Sequence, residues 1–235
     1  MNTSPNIAEI ASLIGEPSRV SMLVSLMGGK ALPASELARL AKITPQTAST
    51  HLAKLVEGGL LQSESHGRHR YYRLASPEVA HAMEALLTIA NPAPVRSLRE
   101  SEQLRVLRYA RTCYDHLAGE VGVALTQKMI ELRLLEASGQ DFVLNEAGKV
   151  KLQSLGVEVD ARPKSRRRFA RQCLDWSERR HHLAGSLGAS LTNRLFELGW
   201  IERIPGGRAV RVTPDGAAGF LAEFGLEVKS GKERV

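Results

Sequence analysis

The chain has 235 residues, 43% hydrophobic and 24% charged, which is a globular composition with room for one large domain or two small ones. A formal net charge of +7 and a pI near 9.7 favour an anionic partner such as nucleic acid or a membrane surface. No uncharged apolar run approaches the roughly 18 residues that cross a bilayer, no basic-then-apolar leader opens the chain, and two cysteines make no disulfide framework. The expectation is a cytoplasmic protein with reduced thiols and no membrane partner.

Residues 1–91 read as short helices separated by stop signals. Ile7, Ile10, Ala11 and Ile14 form an apolar stripe at helical spacing that Gly15 ends. Ser18 opens a helix over Arg19 to Met27, closed by Gly28-Gly29, and Ser35 reads as the N-cap of a very short helix, Glu36 to Ala41. Thr44-Pro45 is a second start signal, a capping hydroxyl followed by proline at the first helical position. In the helix that follows, Ala48, Leu52, Leu55 and Val56 share one face. The opposite face carries Gln46, Thr47, Ser49, Thr50, His51 and Lys54. Short polar side chains nearly free of acids suit contact with phosphates and base edges. Two short helices joined tightly through Lys42 to Thr44 match a helix-turn-helix, whose second helix enters the major groove.

After Gly58-Gly59, two strand-like runs flank His66-Gly67 within Leu60 to Leu74, a hairpin pattern whose tip and return hold His66, Arg68, His69, Arg70 and Arg73. Basic residues on such a hairpin suit a phosphate backbone or a minor groove. Pro77 then begins an amphipathic helix, Glu78 to Ala90. A polar helix face is commonly only solvated, and a basic hairpin only a soluble edge. The order of the elements, ending in a capped polar helix, a double glycine and a basic hairpin, is what singles them out.

Thr44-Pro-Gln-Thr47-Ala-Ser49-Thr-His51-Leu52, Leu55, Gly59-Leu60 and Gly67-Arg68 through Tyr72-Arg-Leu74 together resemble the ArsR/SmtB repressors over roughly residues 6–90. The resemblance implies a winged helix-turn-helix, a homodimer built on the flanking helices, double-stranded DNA as partner and release by an inducer. It places Thr47, Ser49 and His51 at the DNA and Arg68 and Arg70 on the wing. Thr50 stands where the family often has a basic residue. The family's thiolate site, a Cys-x-Cys before the recognition helix, is absent from Ser35–Ala41. Of its other site, on the helix after the wing, only Glu78, His81 and Glu84 remain, so neither site carries over.

Asn91-Pro-Ala-Pro94 leads into a linker, 92–97, and an internal repeat follows. His116-Leu-Ala-Gly-Glu-Val-Gly-Val-Ala-Leu125 matches His182-Leu-Ala-Gly-Ser-Leu-Gly-Ala-Ser-Leu191, and Gly156-Val-Glu-Val159 matches Gly225-Leu-Glu-Val228. Two copies of one α+β unit are expected, over 98–159 and 166–228, each reading helix, helix, short hairpin, helix. Phe142 to Leu144 and Val210 to Val212 are the clearest strands. The fold class is therefore mainly α (α+β): an N-terminal winged helix-turn-helix followed by two tandem winged-helix-like repeats, the second half serving sensing or dimer stability.

Cys113-x-Asp115-His116 heads the first copy and Cys173-x-Asp175 the second, with His181 and His182 after it. Read on a helix, Cys113 and His116 are three apart and face the same way. If the copies pack about a pseudo-twofold, the thiols approach each other. Thiolate with imidazole suits zinc or another borderline transition metal, and paired thiols suit a redox switch. A free cysteine is also commonly a small buried apolar residue. Trp176 and Trp200 are core residues or the lining of an organic-ligand pocket. Arg162-Pro-Lys-Ser-Arg-Arg-Arg168 is a solvated linker or an extra phosphate contact.

The leading reading is a dimeric sequence-specific repressor with an inducer. A metal- or thiol-responsive redox regulator and a non-specific architectural DNA-binding protein stand beside it. A hydrolase on Cys113 and His116 is disfavoured, because no Gly-rich phosphate loop, nucleophile elbow or complete metal-hydrolase motif occurs.

Overall fold

The computed structural model of the chain describes residues 6–67, 69–91, 94–95, 97–159 and 168–231. They divide into two compact units, Met1–Met83 and Glu84–Val235.

The first unit opens with α1 (Ile7–Ile14) and α2 (Pro17–Leu26). α2 starts before Ser18 because the Glu16 side chain caps it, accepting from Arg19 N at 2.7 Å, with Pro17 in the first helical position. Leu32–Pro33 form a short strand, β1, paired with Tyr72 and Tyr71. That pairing moves the next helix start forward: α3 runs Ala34–Ala41 after Pro33, with no side-chain cap, and Ser35 falls inside its first turn.

Lys42, in the left-handed region at φ 56°, turns the chain into α4 (Pro45–Glu57). Thr44 caps α4 as its sequence predicts, accepting from Thr47 N at 3.2 Å. Ala48, Leu52 and Leu55 are fully buried, as are Met22 and Leu23 on α2 and Leu37 on α3, the two helices on which α4 packs. β2 (Leu61–His66) and β3 (His69–Leu74) make the hairpin, with His66 opposite His69, and β1 extends it to a three-stranded antiparallel sheet ordered β1-β3-β2. α5 (Pro77–Ile89) begins in this unit and ends in the next.

In the second unit, α6 (Leu98–Tyr109) precedes two copies of one pattern. The first copy is β4 (Arg111–Cys113), β5 (His116–Ala118), α7 (Gly119–Glu131), β6 (Leu135–Ser138), β7 (Asp141–Leu144) and α8 (Glu146–Ser154). The second is β8 (Arg171–Leu174), β9 (His181–Ala184), α9 (Gly185–Glu197), β10 (Ile201–Arg203), β11 (Val210–Val212) and α10 (Pro214–Phe224). Each copy is thus hairpin, helix, hairpin, helix, and the strands expected at Phe142 and Val210 are present. The expected helix around Cys113 and His116 is a hairpin instead. Tyr114, at φ 59°, makes the tight reversal that sets Cys113 directly across from His116.

The copies exchange strand contacts. The first hairpin of copy one joins the second hairpin of copy two, with Val210 N donating to Ala110 O at 3.0 Å and Thr112 N to Arg208 O at 2.8 Å. Reciprocally, Phe142 N donates to Ala170 O at 2.8 Å and Gln172 N to Gln140 O at 3.1 Å. Thr126 Oγ1 on α7 accepts from Leu183 N, and Thr192 Oγ1 on α9 accepts from Leu117 N. Paired exchanges of this kind define a pseudo-twofold, and one continuous core, including Val121, Leu125, Leu187 and Leu191, runs through both copies.

The repeated glycines explain the repeated sequence. Gly119 and Gly185 have φ of 80° and 82°, and a Cβ on either would stand 2.5 Å from a backbone carbonyl oxygen. Each lets a helix start directly at the end of a buried strand.

Candidate DNA interface and a buried Cys/His cluster

α4 presents Gln46, Thr47, Ser49, Thr50 and Lys54 to solvent on the face opposite its buried apolar residues. Ser49 Oγ donates to Pro45 O at 3.0 Å and Thr50 Oγ1 to Gln46 O at 3.2 Å, which leaves the oxygen lone pairs of both hydroxyls facing outward. His51 stands apart from these residues. Its ring is 16% exposed, with Nε2 3.6 Å from Glu16 Oε2 and Nδ1 3.3 Å from Arg19 Nη1, so it ties α4 to the start of α2.

Arg70 is exposed on β3, whereas Arg68 lies outside the described residues. A groove between the starts of α3 and α4 and the wing is lined by Pro33, Ala34, Ser35, Pro45, Ser49, His69 and Arg70, with no acid among them. The acid on the neighbouring strand, Glu64, is engaged by Arg73 at 2.7 Å. A polar helix face beside a groove whose one charged lining residue is Arg70 suits an anionic ligand.

In the second unit the sequence-predicted cysteines and histidines come together. The ligand atoms of Cys113, His116, Cys173 and His182 all lie within 4.8 Å of one another, and all four side chains are buried. Each hairpin supplies one Cys–His pair in register, Cys113 across from His116 and Cys173 across from His182, and directly opposed residues project on the same face. The thiols stand 4.0 Å apart and the imidazole ring centres 5.1 Å apart. Ala118 and Ala184, at equivalent places in the repeat, complete a small apolar wall around the sulfurs. Four such donors are a ligand set for a metal ion.

Asp115 and Asp175 stand behind the histidines. Asp115 Oδ1 is 3.3 Å from His116 Nδ1, and Asp175 Oδ2 is 3.5 Å from His182 Nδ1. Asp175 is fully buried. It accepts from Arg111 Nη2 at 2.7 Å, from Gly119 N at 2.7 Å and from Ser177 N at 2.9 Å. Burial alone would raise its carboxyl, but the Arg111 guanidinium outweighs that and holds it well below the usual carboxylate range.

The hydrogen bond with the second thiol, with burial added, pushes the Cys113 thiol well up. Burial, with His116 beside it, keeps the His182 ring well below its ordinary value and hence neutral. Nε2 of both histidines lacks a hydrogen-bond partner, as does Nδ1 of His182.

Arg111 was not visible as a site residue from the sequence, although the shared Arg-x-Cys of Arg111 and Arg171 is a trace of it. Its guanidinium also sits over the Trp176 ring at 4.7 Å. Trp200 packs edge-on against Phe220 in the core. Glu84 is buried in a 2.6 Å pair with Arg208. Arg168 reaches Asp141 at 3.3 Å, while residues 162–167 of the basic run lie outside the described residues.

Residues 14–64 match a family model described as a helix-turn-helix domain. The chain is 48% identical over 225 residues, 96% of its own length and 100% of the relative's, to the HTH-type transcriptional regulator YdfF of Bacillus subtilis (strain 168). Among solved structures, the transcriptional repressor BigR from Xylella fastidiosa is 25% identical, with 37% of this chain and 88% of that one covered at a TM-score of 0.34. The transcriptional repressor PagR of Bacillus anthracis is 28% identical, with 34% and 91% covered at a TM-score of 0.31. No helix among the described residues is long and apolar enough to cross a membrane. The chain belongs to the helix-turn-helix transcriptional regulators, with its helix-turn-helix and wing at the N-terminus.

Proposed function

We propose that the chain is a homodimeric, sequence-specific transcriptional repressor of the cytoplasm whose hold on DNA is modulated by an inducer sensed in the C-terminal half. Residues 1–91 form the DNA-binding domain, 92–97 a linker, and 98–159 and 166–228 the sensing repeats. The observation that carries this reading is the exposed polar face of α4, whose one acid is Glu57 in the last turn, beside the wing that carries Arg70. Gln46, Thr47, Ser49 and Thr50 read base edges, Lys54, Arg70 and Arg68 hold phosphates, and His51 fixes the angle of the reading helix.

The flanking helices support a dimer. α1 buries none of its residues, and Ile7 is 80% exposed. Ile89 on α5 is 79% exposed. Apolar side chains left in water on both helices suit a second copy as their cover. α5 also gives the inducer a covalent route to the DNA-binding domain: Glu84 on it is held by Arg208, and Arg179 donates to Thr88 O.

The test is a titration of the protein against duplex from upstream of its own gene and against a scrambled duplex, at two salt concentrations. Tighter binding to the native duplex, weakening at higher salt, supports a specific regulator. Equal binding to both duplexes means architectural binding instead.

A further inference from the structure

We propose that Cys113, His116, Cys173 and His182 bind one divalent zinc-class ion as a closed, four-coordinate Cys2His2 centre that pins the two repeats together at their pseudo-twofold. The centre is separate from both metal sites that the ArsR/SmtB pattern would imply, and it stands independently of the DNA-binding reading.

The distances decide between metal and disulfide. Bonds of about 2.3 Å to sulfur and 2.0–2.1 Å to nitrogen at tetrahedral angles put ligand atoms about 3.3–3.8 Å apart. The thiols are at 4.0 Å and no pair of the four ligand atoms exceeds 4.8 Å, so the donors close on an ion with modest side-chain movement. A disulfide needs about 2.05 Å between sulfurs, roughly half the present separation. It would also leave both buried Nε2 atoms orphaned, as they now are.

The surroundings fit a metal as well. A metal-bound histidine usually has its other ring nitrogen directed at a carboxylate or carbonyl; Asp115 takes that place with a 3.3 Å contact to His116 Nδ1, and the Asp175 carboxylate stands 3.5 Å behind His182 Nδ1. Those two acids, candidate ligands in the sequence, act as positioning residues here. On binding, the two thiol protons and the ring proton of His116, whose value its neighbours raise to about 9, leave to solvent, and one divalent cation takes their place between two thiolates and two neutral imidazoles. The filled centre carries no net charge of its own, which a buried site tolerates where an unbalanced ion is expensive. All four donors are protein side chains and all are buried, the mark of a structural centre rather than an open catalytic one.

The experiment uses the full chain, purified reduced, freed of metal and titrated with Co(II). One equivalent per chain should produce thiolate-to-cobalt charge-transfer absorption and the intense visible bands of a tetrahedral ion, and zinc should displace both. Cys113→Ser should cut the charge-transfer intensity by about half, and Asp115→Ala should weaken affinity by about 10–100-fold while leaving the band positions in place. Circular dichroism checks that each variant is folded, and the wild-type titration needs no variant at all. Folded, reduced wild-type protein without cobalt bands would overturn the proposal. So would bands that persist in the Cys113→Ser/Cys173→Ser double variant, or loss of both thiols to a disulfide in metal-replete protein.

Discussion

Arg111 Nη2 donates to Asp175 Oδ2 at 2.7 Å, and neither side chain has any exposure to solvent. The pair joins the first hairpin of one repeat to the turn after β8 in the other, and Asp175 also accepts from Gly119 N at the start of α7. Asp175→Asn would leave a buried guanidinium without its counter-charge. The expected cost is about 3–5 kcal/mol in urea unfolding of the second unit, and a variant within about 1 kcal/mol of wild type would refute this role.

Gly188 is the point of closest approach between α9 and its hairpin. A Cβ there meets Leu183 O at 2.5 Å and His116 Cβ at 3.3 Å, and Gly122 repeats the contact with Leu117 O at 2.5 Å. Gly188→Ala should therefore destabilise by about 1–3 kcal/mol, read as a lower thermal midpoint, because backbone rather than a flexible side chain must shift.

On DNA, Ser49→Ala and Thr47→Ala should weaken specific binding by about 1–3 kcal/mol while changing affinity for scrambled duplex little. Arg70→Ala should weaken both and lower the salt slope by about one unit. Anisotropy titrations separate the two patterns. Equal losses on both duplexes from Ser49→Ala would move the reading face elsewhere.

Acid should loosen the start of α2. Burial raises the Glu16 carboxyl, but the bonds from the Ser18 and Arg19 backbone and the Ser18 side chain together outweigh it, so its folded value lies below the ordinary one. Its capping contribution is complete above the ordinary glutamate value of about 4.3 and is lost as pH falls through the lowered folded value. Glu16→Gln should lack that acid-dependent loss, measured as thermal stability across the acid range.

The sequence made the DNA-binding half legible because its signals are local. Thr44 caps and Pro45 starts α4 within one turn, and the hairpin reverses at His66-Gly67. β1 escaped notice because two residues, Leu32 and Pro33, carry no periodicity and form a strand only by meeting Tyr72 and Tyr71 some forty positions on. The hairpin at Cys113 was hidden for the same reason: three-residue strands are too short to show alternation, and β4 is completed by Arg208 to Val210 in the other repeat.

The four cluster residues could be picked out because the repeat marks them twice. Their meeting depends on the exchange between copies, which no spacing encodes. His51 was legible as part of a polar face but not as a contact of Glu16 and Arg19, because the helix that buries it lies thirty residues earlier.

The most direct test of a specific regulator is selection from a pool of random duplexes, sequenced after several rounds of binding. A dimer that reads bases through α4 should enrich two half-sites related by a twofold and spaced by about one helical turn, roughly 10 base pairs. The same selection with a Thr47→Ala/Ser49→Ala protein should lose that motif. A pool that stays random under wild-type protein, with binding still strong, would contradict sequence-specific regulation.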